Sequence, residues 1–271
     1  MVGPAMLEVD NVTCDIGSSR ILAGISFSVT RGETVGIIGP NGSGKTTLFN
    51  CVSGFLKPSG GAIRFKGEEI SHLSAFERAA RGVGRVFQAP GIFRDMTLVE
   101  NVLIALEARK KPFHDLLPGG RKITRALEQE ALDALKTIGL SAKAHQKAAS
   151  LSGGQLRLLE IIRAKAYGAE LFLLDEPTAG VSPKMRLEVA ALIRSLVAAG
   201  KTVMVIEHDL DFIAQFCHRI LVIDEGRVAL DGDVHQIKND PRLQEIYFGT
   251  AGLNGSSAHA PLSPQPASAA V

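Results

Sequence analysis

Apolar residues follow two rhythms along the chain. Four short runs, Val35-Gly36-Ile37-Ile38, Leu171-Phe172-Leu173-Leu174, Val203-Met204-Val205-Ile206 and Ile220-Leu221-Val222-Ile223, read as strands buried on both faces. Met185, Val189, Leu192, Leu196 and Ala199 recur instead at helical spacing, on one face of a helix that Gly200 ends. Apolar strands alternating with helices predict an α/β chain whose parallel sheet is covered on both faces. Nearer the N-terminus, Leu7-Glu8-Val9, the alternating residues 25–29, and residues 62–66 before Gly67 read as short strands. An antiparallel β layer is therefore expected beside the parallel core.

The pattern changes after Val83-Gly84-Arg85-Val86-Phe87, a strand that Gln88 ends. Residues 97–109 read as helix. Beyond the breaks at Pro112 and Pro118-Gly119-Gly120, Ile123, Leu127, Ala131, Leu135 and Ile138 share a face, with Gly139 as C-cap. This predicts a helical lobe of about sixty residues inserted between two core strands. From residue 250 the chain is Ala, Ser, Pro and Gly with almost no charge or bulk, and reads as a disordered tail.

Composition narrows the classes. The 271 residues suit one large domain, or one domain with an inserted lobe. Thirty Lys and Arg against 28 Asp and Glu leave a formal charge of +2 without a basic block, so nucleic acid is not an expected partner. Cys14, Cys51 and Cys217 are odd in number and unpatterned, as in a reduced compartment. No signal peptide is read in residues 1–10, and no apolar run approaches the ~18 residues of a membrane span. A role at a membrane would require docking to another chain.

Candidate chemistry begins directly after the first apolar strand. Gly39-Pro40-Asn41-Gly42-Ser43-Gly44-Lys45-Thr46 fits the G-x-x-x-x-G-K-[ST] phosphate loop in its strand–loop–helix setting, with Thr47 opening the helix. Glycines let the backbone turn its N–H groups onto an anion. Lys45 supplies a point charge for the β- and γ-phosphates, and Thr46 a hydroxyl for Mg²⁺. Asp175 and Glu176 end the strand that follows the lobe, where ligands of α/β sheets bind. Asp175 is placed to hold Mg²⁺, directly or through water, and Glu176 to polarise the attacking water as general base. Gln88, at another strand end, has the amide to touch Mg²⁺ or the water. His208, after a third strand, could hydrogen-bond the γ-phosphate.

Leu151-Ser152-Gly153-Gly154-Gln155 offers a hydroxyl, two glycine N–H groups and a helix N-terminus, a second phosphate-binding pattern. With one loop and one such segment on separate lobes, the economical arrangement is a head-to-tail pair. Each ATP then lies between the loop of one subunit and Ser152-Gly153-Gly154 of the other.

Taken together these motifs resemble the nucleotide-binding subunit of an ABC transporter. The resemblance spans residues 6–249: Walker A at residues 39–46, Walker B at 171–175, Glu176 as catalytic glutamate, Gln88 as Q-loop, 151–155 as LSGGQ, and His208 as switch histidine. It implies a P-loop NTPase core at 6–88 and 150–249, a helical subdomain at 89–149, and a tail at 250–271. It also implies ATP and Mg²⁺, a second ATP-binding subunit, permease subunits, indirectly a solute-binding protein, and a peripheral place on the cytoplasmic face of the membrane. Asn50-Cys51-Val52-Ser53-Gly54-Phe55, residues 93–101, residues 206–210 and the Tyr247-Phe248-Gly249 ending further resemble the branched-chain amino-acid importer ATPases. ATPases of urea or amide importers, and of lipid or lipopolysaccharide exporters, are similar too. Two positions depart from the family pattern. Ile16 stands before Gly17 where an aromatic residue often stacks on adenine, and Ser182 stands where the loop after Walker B commonly ends in Asp.

Overall fold

The computed structural model describes residues 4–89, 91–110 and 124–248; Ile123 and the expected tail lie outside them. Two sheets organise the chain. The first is antiparallel, with β1 (Ala5–Ile16), β2 (Ser19–Thr30), β4 (Gly60–Phe65) and β5 (Glu68–Glu69) in the order β2-β1-β4-β5. The second has six strands in the order β10-β9-β3-β8-β7-β6: β3 (Thr34–Ile38), β6 (Val83–Val86), β7 (Leu171–Asp175), β8 (Thr202–Ile206), β9 (Arg219–Asp224) and β10 (Arg227–Asp233). All neighbours there are parallel except the edge hairpin β9–β10.

The unbroken apolar runs are explained by what lies on the two faces of this sheet. Successive side chains of a strand point to opposite faces. Leu171 and Leu173 of β7, Met204 and Ile206 of β8, and Leu221 and Ile223 of β9 enter a core shared with the antiparallel sheet and α1 (Lys45–Ser53). Phe172, Leu174, Val203, Val205, Ile220 and Val222 enter a second core. That one is shared with the helices α3 (Leu98–Lys110), α4 (Arg125–Thr137), α5 (Gly153–Tyr167) and α6 (Pro183–Ala198). A strand with apolar neighbours on both faces has no polar alternation to show.

Helices α3 and α4 stand between β6 and β7 in the chain. On α4, Ala131 and Leu135 are buried, and Gly139 has the left-handed backbone (φ 68) that follows a helix end. On α6, Val189, Leu192 and Leu196 are buried, but Ala199 is exposed and only caps the helix. The expected short N-terminal strands are a twelve-residue hairpin pair instead. Register shifts between Val9 and Val12, with Asn11 at φ 45, break the two-residue period there. Helix α2 (Ala75–Arg81) lies beside α1, and its fully buried Arg78 donates to the carbonyls of Cys51 and Val52 at the end of α1. Burial pushes the Cys51 thiol up to about 12, so this cysteine is packing rather than a nucleophile. Among the described residues the other α-helices are α7 (Leu210–Ile213), α8 (Val234–Asn239) and α9 (Pro241–Phe248). Among the described residues no helix is long and apolar enough to cross a membrane.

Candidate active site

Strand β3, buried along its whole length near the middle of the six-stranded sheet, delivers the chain to residues 39–44. A Cβ at Gly39 (φ 148) would sit 2.0 Å from the Ile223 carbonyl, so only glycine fits where the loop leaves the sheet. Gly44 adopts φ 103 and ψ 3, and α1 begins at Lys45 with no side-chain cap and no acid in its first turn. Its first N–H groups and positive dipole end are thus left open to an anion. Lys45 is buried, and its Nζ donates to the carbonyls of Gly39 (2.8 Å) and Pro40 (2.7 Å). Burial pushes its pKa below the ordinary lysine value, while the charges of Glu176 and Asp175 oppose that shift. The Ser43 hydroxyl is buried and has no hydrogen-bond partner among the described residues. Asn41, Gly42, Lys45, Thr46, Thr47 and Glu176 line a cavity of about 300 Å³, joined by Ile16 and Ile21 from β1 and β2. An uncapped helix end, an unpartnered buried hydroxyl and a lysine held by two loop carbonyls fit a polyphosphate.

Beside the loop the acids converge. Asp175, buried at the end of β7, pairs with Arg85 of β6 at 2.7 Å. Arg85 is itself buried and stacked against the Phe49 and Phe87 rings. Glu176 has a left-handed backbone (φ 45), a sparsely populated state for a non-glycine residue. Its carboxylate is held at both oxygens: Gln88 Nε2 donates to Oε2 at 2.9 Å, and His208 Nε2 lies 2.8 Å from Oε1. The His208 hydrogen bond holds the Glu176 pKa below the ordinary glutamate value, with burial opposing. The structure therefore brings Gln88 and His208 to the Glu176 carboxylate, while Lys45, Thr46 and Thr47 line the cavity that Glu176 also lines. For Mg²⁺ the chain offers hard oxygens on Thr46, Asp175 and Gln88. No group of three or more His, Cys, Asp or Glu among the described residues could cage a metal alone. That donor set fits an ion that keeps waters and takes phosphate oxygens.

Ser152 to Gln155 do not line this cavity. They form a closed local cap: the Ser152 hydroxyl accepts from Gln155 N–H, and the Gln155 side-chain oxygen accepts from Ser152 N–H. Gly153 is open, whereas a Cβ on Gly154 would meet Met185 of α6 at 2.8 Å. The two glycines thus serve different needs, one exposure and the other close helix packing. Ser182 caps α6, its hydroxyl accepting from Met185 N–H, with Pro183 at the first helical position.

The match to a family model described as ABC transporter covers residues 22–179, more than half of the chain. The chain belongs to the ABC transporter family. It is an ATP-binding cassette with the ATPase activity of that family. It is 37% identical over 252 residues to the high-affinity branched-chain amino acid transport ATP-binding protein BraF of Pseudomonas aeruginosa, covering 91% of this chain and 98% of the relative. It is 36% identical over 251 residues to the corresponding LivG of Escherichia coli, covering the same 91% and 98%. A crystal structure of an ATP-binding cassette of an ABC transporter in its ADP conformation superposes with TM-score 0.80 at 33% identity, over 90% of this chain and 99% of that one. A dimeric cassette in a post-hydrolysis state bound to ADP and Pi gives 0.72 at 28% identity, over 84% and 99%.

The cassette also uses side chains that the sequence reading passed over. Arg157 of α5 donates to the carbonyls of Phe87 and Gln88 and pairs with Glu160 at 2.9 Å. Glu160 accepts from Gly91 N–H, and Arg163 donates to the Gly91 carbonyl. One face of α5 therefore grips the segment that carries Gln88. Glu207, buried, accepts from both the amide and the hydroxyl of Thr178, and burial raises its pKa. Arg157, Glu160 and Arg163 recur every third residue along α5, a usable signal, but charged residues on a helix ordinarily read as solvent-facing.

Proposed function

We propose that this cassette hydrolyses ATP to energise the import of branched-chain or related amino acids, docked on the cytoplasmic face of a membrane to permease subunits. The observation that carries the hydrolytic part is the Glu176 carboxylate, depressed in pKa and held by Gln88 and His208 beside the phosphate-loop cavity. The relatives named for branched-chain amino acid transport, at 36–37% identity over most of both chains, support the solute class.

In this reading the triphosphate draws Lys45 from the two loop carbonyls and binds the open end of α1. Thr46, Asp175 and Gln88 would hold Mg²⁺, which when bound offsets phosphate charge. Moving the His208 contact from Glu176 to the γ-phosphate raises the basicity of the carboxylate as water arrives. Glu176 takes a proton from that water, the water oxygen bonds to the γ-phosphorus, and the bond from that phosphorus to ADP breaks. Two chains pair head to tail, Ser152, Gly153, Gly154 and Gln155 of one facing the loop, from Gly39 and Pro40 through Thr47, of the other.

We further assign hydrolysis to a core at residues 6–88 and 150–249, and transmission to a helical subdomain at 89–149. Phe93 is 48% exposed, with the Arg163 guanidinium over its ring, beside a groove of about 340 Å³ also lined by Phe87, Ile104 and Tyr167. Arg94 and Asp95 are exposed there. Glu100, also exposed, accepts from the amide and the hydroxyl of Thr97 at the start of α3. The test is copurification with the permease, then ATPase assay in vesicles with the cognate binding protein loaded with leucine, urea or no solute. Stimulation by leucine alone supports the assignment, and stimulation by urea, or outward lipid movement, replaces it. Arg94→Glu is expected to spare the isolated ATPase and weaken permease capture; unchanged capture removes this surface.

A further inference from the structure

The phosphate loop is braced from the far end of the chain. Tyr247, in the last turn of α9, accepts a hydrogen bond from Gly39 N–H at 2.9 Å, across 208 residues of sequence. Its ring and neighbouring Ile246 pack on the core beneath the helical face of the sheet. Burial raises the Tyr247 pKa, so the group stays a neutral hydroxyl at working pH. Among the glycines of the loop, Gly39 leaves the least room for a side chain. One side of it faces the Ile223 carbonyl, with no room for a Cβ. Its own carbonyl, with that of Pro40, holds Lys45 Nζ. Gly39 is thus fixed through its N–H by Tyr247 and, through its carbonyl, sets where the phosphate-binding lysine waits.

We propose that Tyr247 is a positioning residue for nucleotide binding, bracing Gly39 so that the loop keeps its shape when Lys45 leaves the carbonyls for phosphate. It acts through Gly39 and touches no reacting atom. The hydrogen bond also makes α9 a reporter of loop occupancy, because whatever α9 does for nucleotide affinity, nucleotide must do for α9. The proposal rests on nucleotide binding at the loop and not on the permease or solute assignment.

The test uses the full chain and the Tyr247→Phe variant, which keeps the ring and its packing. A fluorescent ADP analogue with Mg²⁺ gives Kd, steady-state ATPase gives KM and kcat, and hydrogen exchange follows residues 241–248 with and without ADP. Losing one hydrogen bond to a backbone amide is expected to weaken nucleotide binding by roughly three- to tenfold, with kcat little changed. ADP is expected to slow exchange in α9 of the wild type, and to do so less in the variant. A variant with lower thermal stability but wild-type Kd, and with the same ADP-dependent protection, would make the hydroxyl merely structural and overturn the proposal. A fall in kcat at unchanged Kd would overturn it equally, placing the effect in the chemical step.

Discussion

Two glycine-rich segments in this cassette open helices, and they are built on opposite plans. At α1 the entrance is unfinished: Gly44 gives no side-chain cap, the first turn has no acid, and Lys45 reaches back to loop carbonyls. At α5 the entrance is complete in itself, Ser152 and Gln155 satisfying each other's backbone N–H groups. The first therefore needs an anion to finish its hydrogen bonding. The second is stable without one, and its exposed Ser152 and Gly153 can meet a partner chain without any rebuilding of the fold. The contrast teaches that the same composition can leave a helix end open by lacking a cap or close it by having one.

The largest effect that sharpens this contrast is expected beside the unfinished entrance. Glu176→Gln keeps both contact atoms' positions but removes the base, and hydrolysis is expected to fall by ~10²–10⁴-fold with ATP binding retained. Wild-type turnover in a rapid-quench assay would move the base elsewhere. Next in size is complementation. Lys45→Ala and Ser152→Arg each damage both sites of a homodimer, whereas the mixed dimer keeps one intact site and should regain measurable ATPase activity. Trapped heterodimers with no gain would break the pairing of the two entrances. A smaller effect is expected at the base. Ile16 is 50% exposed at the cavity and offers area but no flat ring. Ile16→Tyr should tighten ATP by no more than about tenfold with little change in maximal rate, since stacking is worth ~1–3 kcal/mol. Calorimetric titration with ATP and GTP reads this directly, and a strong wild-type preference for ATP with no gain from Tyr refutes it.

The smallest effect separates the two entrances by pH. Ser152→Ala should cost about 1 kcal/mol of stability, as loss of a helix cap does. That cost should be uniform with pH, because no titratable group takes part in the cap. Glu176 behaves otherwise. Its folded pKa lies below the ordinary 4.5, so its contribution is present above 4.5 and is lost as pH falls through the folded value. Glu176→Gln should flatten that acid limb in denaturant melts across pH 3 to 6. An equal acid limb in both proteins would mean that the His208 contact does not stabilise the fold.

Much of this was readable from residues. The four apolar runs are the buried strands β3, β7, β8 and β9, and the loop, the acids and the Ser-Gly-Gly turn stand in the strand and helix settings that their chemistry needs. What escaped had physical causes. The bulge near Asn11 hid half of the N-terminal hairpin, because an extra residue reverses the inside–outside alternation. Helix α2 was missed although Ser74 and Glu77 form a capping box, since seven residues give too little periodicity. Arg85, Arg157 and Glu160 look like surface charges in sequence, and only the fold shows the Arg85 side chain buried against Asp175, and Arg157 and Glu160 buried against each other and the Gln88 segment. Tyr247 lies 208 residues from the group it braces, beyond the reach of any local pattern.

Lys45 parked on two carbonyls has a consequence for discrimination among anions in a cell crowded with them. An empty loop with a bare ammonium would act as a sponge for any phosphate. Here a visitor must first replace two good hydrogen bonds of 2.8 and 2.7 Å, a toll that a lone orthophosphate meets with a single charged group. A polyphosphate meets it with several groups spread along the open helix end. Occupancy should therefore rise steeply rather than evenly along the series orthophosphate, pyrophosphate, tripolyphosphate in competition with ADP. An even rise would show that the parked lysine sets no threshold. The loop, on this account, works less as a trap than as a turnstile.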